Sequence, residues 1–547
     1  MNHLNLVIGN LAEDPRGFYR FIKNNCTDSN GIPSLKTSSG IILADEEKAK
    51  CLNDYFVSVF TKEDENTIPS IEIHPDMPSF EVTKNGVVKL LSGLDPKKSL
   101  GPDDISPRIL RETCVESADV LTYIFNQSLA SGIVPADWRV ANIFALHKKG
   151  AKELPENYRP ISLTSICSKL LEHIVYSSIS QFLSDNHIIS PRQHGFRPGH
   201  SCETQLILSV DDWSKSLDRG LRTDMAIFDF SKAFDSVPHQ RLIVKLISYG
   251  IRGNTLAWIS SFLMNREQRV TINGSKSSWL PVTSGVPQGT VLGPLLFLLC
   301  INDIASNVHS EIRLFADDCI LYRTINKPTD CLILQDDINQ LLSWASIWQM
   351  QFNSKKCHIL SITRQKSRPT ATYTLGVETL SRVDSYPNYL GVTLSSDLRW
   401  HNHISNNSTK TSRTLNFVRR NVYSCSPEAK ALAYTSLVRP HLEYAASAWD
   451  PYLSMDNCSI GKCSASAACC SLRMQRLQTY HIGYWSPGAS QLTLPVRRTN
   501  SRLVTFYTAV NNQIAIPTNH LQKPPRYTRN SDETTFTSLS SRQNPRK

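Results

Sequence analysis

The feature that most constrains this chain is a pair of adjacent acids set inside an apolar stretch. Residues 311–322 read EIRLFADDCILY. Alternation leads up to Ala316, Asp317 and Asp318 interrupt it, and Cys319, Ile320, Leu321 and Tyr322 resume as an apolar strand. Two strand-like segments about a turn predict a hairpin with both acids at its turn. Adjacent carboxylates at the tip of a buried hairpin repel each other. A divalent cation is the usual remedy, and hard ions such as Mg²⁺ take carboxylate oxygens. The plain alternative is a tight turn that uses Asp as a common turn residue. Three further pairs, Asp103-Asp104, Asp211-Asp212 and Asp336-Asp337, have polar neighbours, and solvated surface is their natural reading.

A second acid changes the balance. Residues 224–229 (DMAIFD) read as a short apolar strand that ends on Asp229. If this strand neighbours the hairpin, Asp229, Asp317 and Asp318 can hold two metal ions roughly 3.5–4 Å apart, the arrangement suited to in-line displacement at phosphorus. A third piece is the loop Ser284-Gly285-Val286-Pro287-Gln288-Gly289-Thr290, which leads through Leu292-Gly293-Pro294 into an apolar helix. Glycine permits close backbone approach to a ligand, and Gln288 can hydrogen-bond a nucleotide from a rigid loop. Taken alone, the loop is equally an ordinary turn and helix start.

The rest of the chain sets the frame. Its 547 residues are 40% hydrophobic and 20% charged, an ordinary globular composition. A net charge of +11 suits a polyanionic partner such as nucleic acid, with a merely solvated basic surface as the alternative. The 14 cysteines are irregularly spaced, which points to a reducing compartment rather than a disulfide scaffold. The start of the chain shows no signal-peptide pattern. Residues 291–304, the most apolar stretch, are too short to span a bilayer, so the expected location is nucleus and/or cytoplasm. Residues 45–60 form an amphipathic helical pattern with Leu52, Tyr55, Phe56 and Val59 on one side, and Pro69, Pro75 and Pro78 punctuate a linker. Dense apolar periodicity runs from 86 to 449, with helical patterns at 241–249 and 332–348 between the strands. The fold class is therefore α+β. The tail from 523, rich in Pro, Arg, Ser and Thr, reads as disordered.

FDFSKAFDSV, SGVPQGTVLGPLLF and FADD, in this order and spacing, resemble motifs A, B and C of reverse transcriptases. Asn157-Tyr158-Arg159-Pro160-Ile161-Ser162-Leu163 and Gln193-His194-Gly195-Phe196-Arg197 resemble the fingers motifs. Trp348-Gln349-Met350-Gln351-Phe352-Asn353 with Lys356 resembles motif D, and Tyr389-Leu390-Gly391-Val392 the primer grip. The surrounding sequence, over roughly residues 15–450, is similar to non-LTR retrotransposons of the Jockey and CR1 type.

The resemblance implies a right-hand polymerase with fingers around 100–225, palm around 226–345 with 380–395, and thumb after 395. The palm would be an antiparallel sheet backed by helices. In domain terms it implies a connecting region over 1–95, fingers and palm over 96–394, a thumb-like helical region over 395–454 and an aberrant C-terminal region over 455–547. It implies extension of a DNA primer on an RNA template from dNTPs, with two Mg²⁺ ions that Mn²⁺ can replace, and no membrane; the oligomeric state stays open. Asp229, Asp317 and Asp318 would ligate the metals together with the Phe230 carbonyl. Phe234 would lie under the sugar and exclude a 2′-hydroxyl, where RNA-templated RNA polymerases typically carry an Asp. Lys148, Arg159 and Arg197 would grip the triphosphate, since Arg suits bidentate phosphate contact. Gln288 and Gly289 would line the nucleotide, and Lys356 would protonate pyrophosphate.

Two departures from the family pattern stand out. Relatives usually carry an apurinic-type endonuclease before the polymerase, and the residues ahead of the polymerase body here look like a connecting region instead. After Trp449-Asp450-Pro451-Tyr452 the chain reads CSIGKCSASAACCSLRMQRLQTYH in place of a helix rich in Leu, Gln, Arg and Ala. Translation from a shifted frame is the expected source of this stretch. The functional alternative is a zinc site of Cys458, Cys463, Cys469 and Cys470, which the spacing disfavours because it matches neither a zinc knuckle nor paired C-x₂-C units. A damaged thumb would leave a chain that binds nucleic acid without polymerising it.

Overall fold

The computed structural model describes residues 31–38, 40–64, 74–365, 371–423, 425–450 and 494–517. The cysteine-rich stretch at 458–470, and with it the frame-shift and zinc readings, lies outside these residues, as does the tail from 523.

The chain builds two five-stranded sheets. Helix α1 (Asp45–Ser58) packs Ala49, Leu52 and Phe56 onto the first sheet. In that sheet β1 (Val140–His147) pairs antiparallel with β2 (Tyr158–Leu163) and parallel with β4 (Arg266–Ile272). Short strands at Ser275–Lys276 and Leu280–Val282 extend β4. The alternation along β1 buries Ala141, Ile143 and Ala145 under α1 and leaves Phe144 and Leu146 exposed on the other face.

The second sheet carries the acids. Between the two run α2 (Ile166–Asp185) and α3 (Cys202–Asp218). The central strand is β3 (Arg222–Asp229); α4 (His239–Ser248) follows it, and α5 (Leu292–Ile301) precedes the hairpin of β5 (Glu311–Phe315) and β6 (Asp318–Ile325). Helix α6 (Pro328–Ile347) then leads to β7 (His358–Ile362) and β8 (Ser381–Val383). The strand order is β8-β7-β3-β6-β5, antiparallel throughout except for the parallel pair β7·β8.

This sheet is covered on both faces, which explains why residues 225–228 are all apolar instead of alternating. Ala226, Phe228, Cys319 and Leu321 pack with α5 and α6, whereas Met225, Ile227, Ile320 and Tyr322 pack with α3 and the hairpin of β9 (Ser385–Tyr389) and β10 (Val392–Ser395). Each fully buried Leu, Ile, Phe or Met among them contributes about 1.5–3 kcal/mol. Helix α5 (LGPLLFLLCI) is apolar all round because it runs through the interior, with only Pro294 short of full burial. Beyond β10, α7 (His401–Asn421) ends on Arg419 and Arg420, and α8 (Leu494–Val510) closes the described chain.

Three expectations need correction. Asp212 is not free surface: its Oδ2 accepts from Arg313 Nη2 (2.8 Å) and Tyr322 Oη (2.6 Å), which ties α3 to the hairpin. Asp337 is 1% exposed and accepts the backbone N–H groups of His309 and Ser310 at 2.9 and 2.7 Å. Both sit on helices whose other residues look solvated, and a single inward acid leaves no trace in such a pattern. At the hairpin only Asp317 occupies the turn; Asp318 pairs with Phe315 and opens β6.

Candidate active site

The register of the central sheet brings the acids together. Asp229 on β3 and Asp318 on β6 are direct antiparallel partners. Directly opposed residues have Cα atoms about 4.5–5.5 Å apart and side chains on one face. That face is the one carrying Met225, Ile227, Ile320 and Tyr322, and the acids lie where the strands run out. Asp317 is the last turn residue beside them.

The turn is held from outside. Ala316 has a left-handed backbone (φ 53), which costs a non-glycine residue of order 1 kcal/mol or more. Gln193 Oε1 accepts the N–H groups of Ala316 (3.0 Å) and Gly195 (2.7 Å), and the backbone of residues 192–194 hydrogen-bonds Leu314 on both sides. A Cβ on Gly195 would lie 2.3 Å from Ala316 N, so only glycine lets this segment approach the turn.

The charges are unbalanced. Desolvation, together with the charges of Asp317 and Asp229, raises Asp318 to about 6, although its side chain still reaches solvent. Lys356 Nζ pairs with Asp229 Oδ2 at 2.8 Å. The segment before it is stitched to the β3 end: Asn353 N–H donates to Asp229 O (2.7 Å), Ser231 N–H to Gln351 O (2.8 Å), and Phe230 stacks on Phe352 at 4.6 Å. Lys148, at the end of the first sheet, has its amine pushed down by desolvation and by the positive charges of Arg159 and Lys356. Arg159 on β2 is exposed. Arg197 directs Nη1 to the carbonyls of Ser190 (2.8 Å) and Gln193 (3.0 Å), so part of its fork braces the loop that grips the hairpin.

The loop after β3 forms the other wall. Phe234 stacks on Phe297 of α5 (4.6 Å, 17°), and Phe196 meets it edge-on (6.4 Å, 86°). Val286 N–H donates to Phe234 O (2.7 Å), Gly285 N–H to Val237 O (2.8 Å), and Ser284 Oγ to Asp235 O (2.8 Å). The 284–290 loop is thus bound to the 230–238 turn through its backbone. Gly285 (φ 87) cannot take a Cβ, which would lie 2.7 Å from Asp235 O. Gln288 Nε2 donates to Asp235 Oδ1 (3.0 Å), and Gln288 O accepts from Ser162 N–H (2.7 Å). Gly289 lets the loop lie against β2, since its Cβ would sit 2.9 Å from Ser162 O.

Three contributors are not evident from the sequence alone. Asp235 is the partner of Gln288. Gln193 holds the hairpin turn. Glu172, buried on α2, accepts Val291 N–H (2.7 Å) and Leu292 N–H (3.2 Å) and so caps α5. A mid-helix Glu in an apolar pattern, as at 172, is the one signal that could have flagged such a partner.

The donor set is all carboxylate and carbonyl oxygen, which suits a hard divalent cation. Among the described residues no three His, Cys, Asp or Glu side chains are already drawn into a metal cluster. Like-charged carboxylates hold apart, and Asp229 turns to Lys356 instead. A cation would relieve the repulsion that raises Asp318.

The class follows from comparison. Residues 146–394, which contain the second sheet with its acids and all of the first sheet except most of β1, match the family model described as reverse transcriptase (RNA-dependent DNA polymerase). The chain carries a reverse-transcriptase domain of the jockey-like, non-LTR retrotransposon kind. It is 30% identical over 384 residues to the RNA-directed DNA polymerase from mobile element jockey of Drosophila funebris, covering 68% of this chain and 41% of that protein. It is 27% identical over 434 residues to the Drosophila melanogaster protein named "Probable RNA-directed DNA polymerase from transposon BS", covering 74% of this chain and 47% of that one. The chain thus spans under half the length of these relatives. No helix among the described residues is long and apolar enough to cross a membrane.

Proposed function

We propose that this chain is an RNA-directed DNA polymerase that extends a DNA 3′ end on an RNA template. The observation that carries the reading is the cross-strand pairing of Asp229 with Asp318, with Asp317 beside them in the turn. Asp229, Asp317, Asp318 and the carbonyl of Phe230 are the groups that would hold two divalent ions, Mg²⁺ or Mn²⁺. When bound, such ions lower the pKa of the primer hydroxyl and neutralise the triphosphate.

The chain's own residues do the rest by positioning. Lys148, near Asp229 and Asp318, and Arg159 beside it at the end of the first sheet grip the incoming triphosphate, and Arg197 braces the loop that holds the hairpin. Gln288, fixed by Asp235, and Gly289 line the nucleotide. Phe234, clamped between Phe297 and Phe196, blocks a 2′-hydroxyl. Lys356, an ammonium donor beside Asp229, protonates the departing pyrophosphate. In this reading residues 96–394 are fingers and palm, the first sheet belongs to the fingers and the second to the palm, and 395–454 are thumb-like. The partners are RNA template, DNA primer and dNTPs.

The test is extension of oligo(dT) on poly(rA) with Mg²⁺ by the folded chain, wild type against Asp317→Ala. Incorporation that depends on Asp317 is expected. A folded wild-type chain that incorporates nothing overturns the reading and leaves a nucleic-acid binder.

A further inference from the structure

The segment that follows α1 runs across the reverse-transcriptase domain and does something unusual at α4. That helix begins after Pro238, which supplies no side-chain cap. Its exposed N–H groups are instead capped from far away in sequence. Glu63 Oε2 accepts from Gln240 N–H (2.9 Å) and Oε1 from Arg241 N–H (2.8 Å). These are the second and third helical positions, the ones a local cap residue would serve. A carboxylate there also complements the helix dipole.

The same segment makes further ties. Thr61 Oγ1 donates to Ser236 O (2.7 Å), and Thr61 N–H to Ser284 Oγ (2.8 Å), whose own proton goes to Asp235 O. Buried Arg241 bonds Glu63 Oε1 (3.3 Å), Asp64 O (2.7 Å) and, through Nε, Ile347 O at the end of α6 (2.9 Å). Asp64 N–H donates to Gln349 Oε1 (3.1 Å). Lys232 Nζ lies over the Tyr55 ring at 5.0 Å. Residues 55–64 therefore touch both the turn that carries Phe234 and Asp235 and the start of the segment that leads to Lys356.

We propose that residues 59–64 are a strap, with Glu63 as its positioning residue, that sets the Phe234 wall and the Lys356 segment against the Asp229 strand. Glu63 touches no substrate; it acts through α4, Arg241 and the 347–349 backbone. The inference rests on the polymerase reading above and adds a role for a segment outside the matched domain. Loosening the strap lets the Phe234 wall and Lys356 drift relative to the acids, which lowers turnover and sugar discrimination more than nucleotide binding.

The experiment separates positioning from capping. Glu63→Ala, Pro238→Ser and the double variant are compared on poly(rA)·oligo(dT) for kcat, KM, the preference for dTTP over UTP, and thermal midpoint. Serine at 238 supplies a local cap to the same N–H groups. Glu63→Ala is expected to lower kcat about 10-fold and the sugar preference about fivefold, with KM changed less than twofold, as small misplacements of reacting groups do. Pro238→Ser in that background is expected to restore the thermal midpoint and leave kcat and sugar preference low. Recovery of all four quantities in the double variant would reduce Glu63 to a helix cap and overturn the proposal. So would a Glu63→Ala enzyme equal to wild type. If the alanine variant does not fold, Glu63→Gln, which keeps one acceptor, gives the same comparison with a smaller effect. A folded wild type that incorporates nothing sinks the polymerase reading, and the strap's role with it. Normal wild-type turnover with unaltered variants sinks the strap alone.

Discussion

Asp224 and Asp229 lie on one strand, five residues apart and on opposite faces of the sheet. Asp224 is wholly buried and saturated: Ser361 Oγ (2.5 Å) and Tyr373 Oη (2.7 Å) donate to it, and Arg222 and Arg382 stand at 3.1 and 3.7 Å. Asp229 pairs with Lys356, has Lys148 nearby, and faces a second carboxylate across the ladder. The same residue type on the same strand is a structural anchor at one end and, in the proposed reading, a metal ligand at the other. The contrast teaches that an acid's partners, more than its burial, separate the two roles. A buried charge persists only when satisfied, whereas repelling acids at a strand end persist where something absent from the chain completes them.

Breaking the contrast gives the largest effect. Asp229→Asn should abolish extension, at least about 10³-fold as for loss of a transition-state charge partner, while leaving the thermal midpoint unchanged or higher. Asp224→Ala should do the reverse. It leaves Arg222 and Arg382 without their carboxylate and should cost about 3–5 kcal/mol, with near-normal turnover per folded molecule. Denaturant titration and primer extension on both variants read the two effects. Equal destabilisation by the two substitutions would erase the distinction.

Phe234 stands between the two roles, one face packed on Phe297 and the rest half-buried. Phe234→Ala should raise ribonucleotide use about 10–100-fold relative to deoxynucleotide, the range that steric exclusion of one group supplies. Competition between dTTP and UTP on poly(rA) measures it. An unchanged ratio would move the sugar wall elsewhere. Gly195→Ala should act more weakly and through support alone. Its Cβ would collide with the backbone of Ala316, costing about 1–3 kcal/mol. The displaced hairpin tip should lower kcat about 10-fold, since active-site geometry tolerates little shift. Retained kcat would show that the turn keeps its place without Gln193 and Gly195.

Much of the site could be read locally. The FADD hairpin, the strand ending at Asp229 and the loop around Gln288 announce themselves by apolar runs broken at turn residues, and their pairing follows once both strands share a sheet. What escaped was the set of long-range contacts between side chains and backbone. Glu63 caps α4, Glu172 caps α5, Gln193 holds Ala316, and Asp337 satisfies residues 309–310; each spans tens of residues or more and leaves no periodic signal. Asp212 and Asp337 are hidden for the same reason, since a doublet of acids on a helix looks solvated even when one of them points inward. The strand pattern also hid the two-sided cover of the sheet. An unbroken apolar run is compatible with burial on both faces, and it took the packing of α3 and the β9–β10 hairpin to show what lies on the second.

The effect is smallest at Asp235, a part-buried acid whose carboxylate is hydrogen-bonded by Gln288. Desolvation raises it to about 6 against the pull of Gln288, Lys232 and Arg159. An unfolded Asp titrates near about 3.9, so between about pH 4 and 6 the folded chain holds the extra proton. Stability from this group is therefore largest in acid and is lost as pH rises through 6, levelling above about 7, by at most about 3 kcal/mol. Asp235→Asn lacks the titration. Its stability relative to wild type should rise between pH 4 and 7 by that amount, as read from denaturant melts at each pH. Gln288→Ala removes the hydrogen bond that favours the ionised form, so its pH-dependent loss should extend to higher pH. A variant-to-wild-type difference that stays flat from pH 4 to 7 would mean that water reaches Asp235 freely, and that Gln288 is positioned by its backbone contact to Ser162 alone.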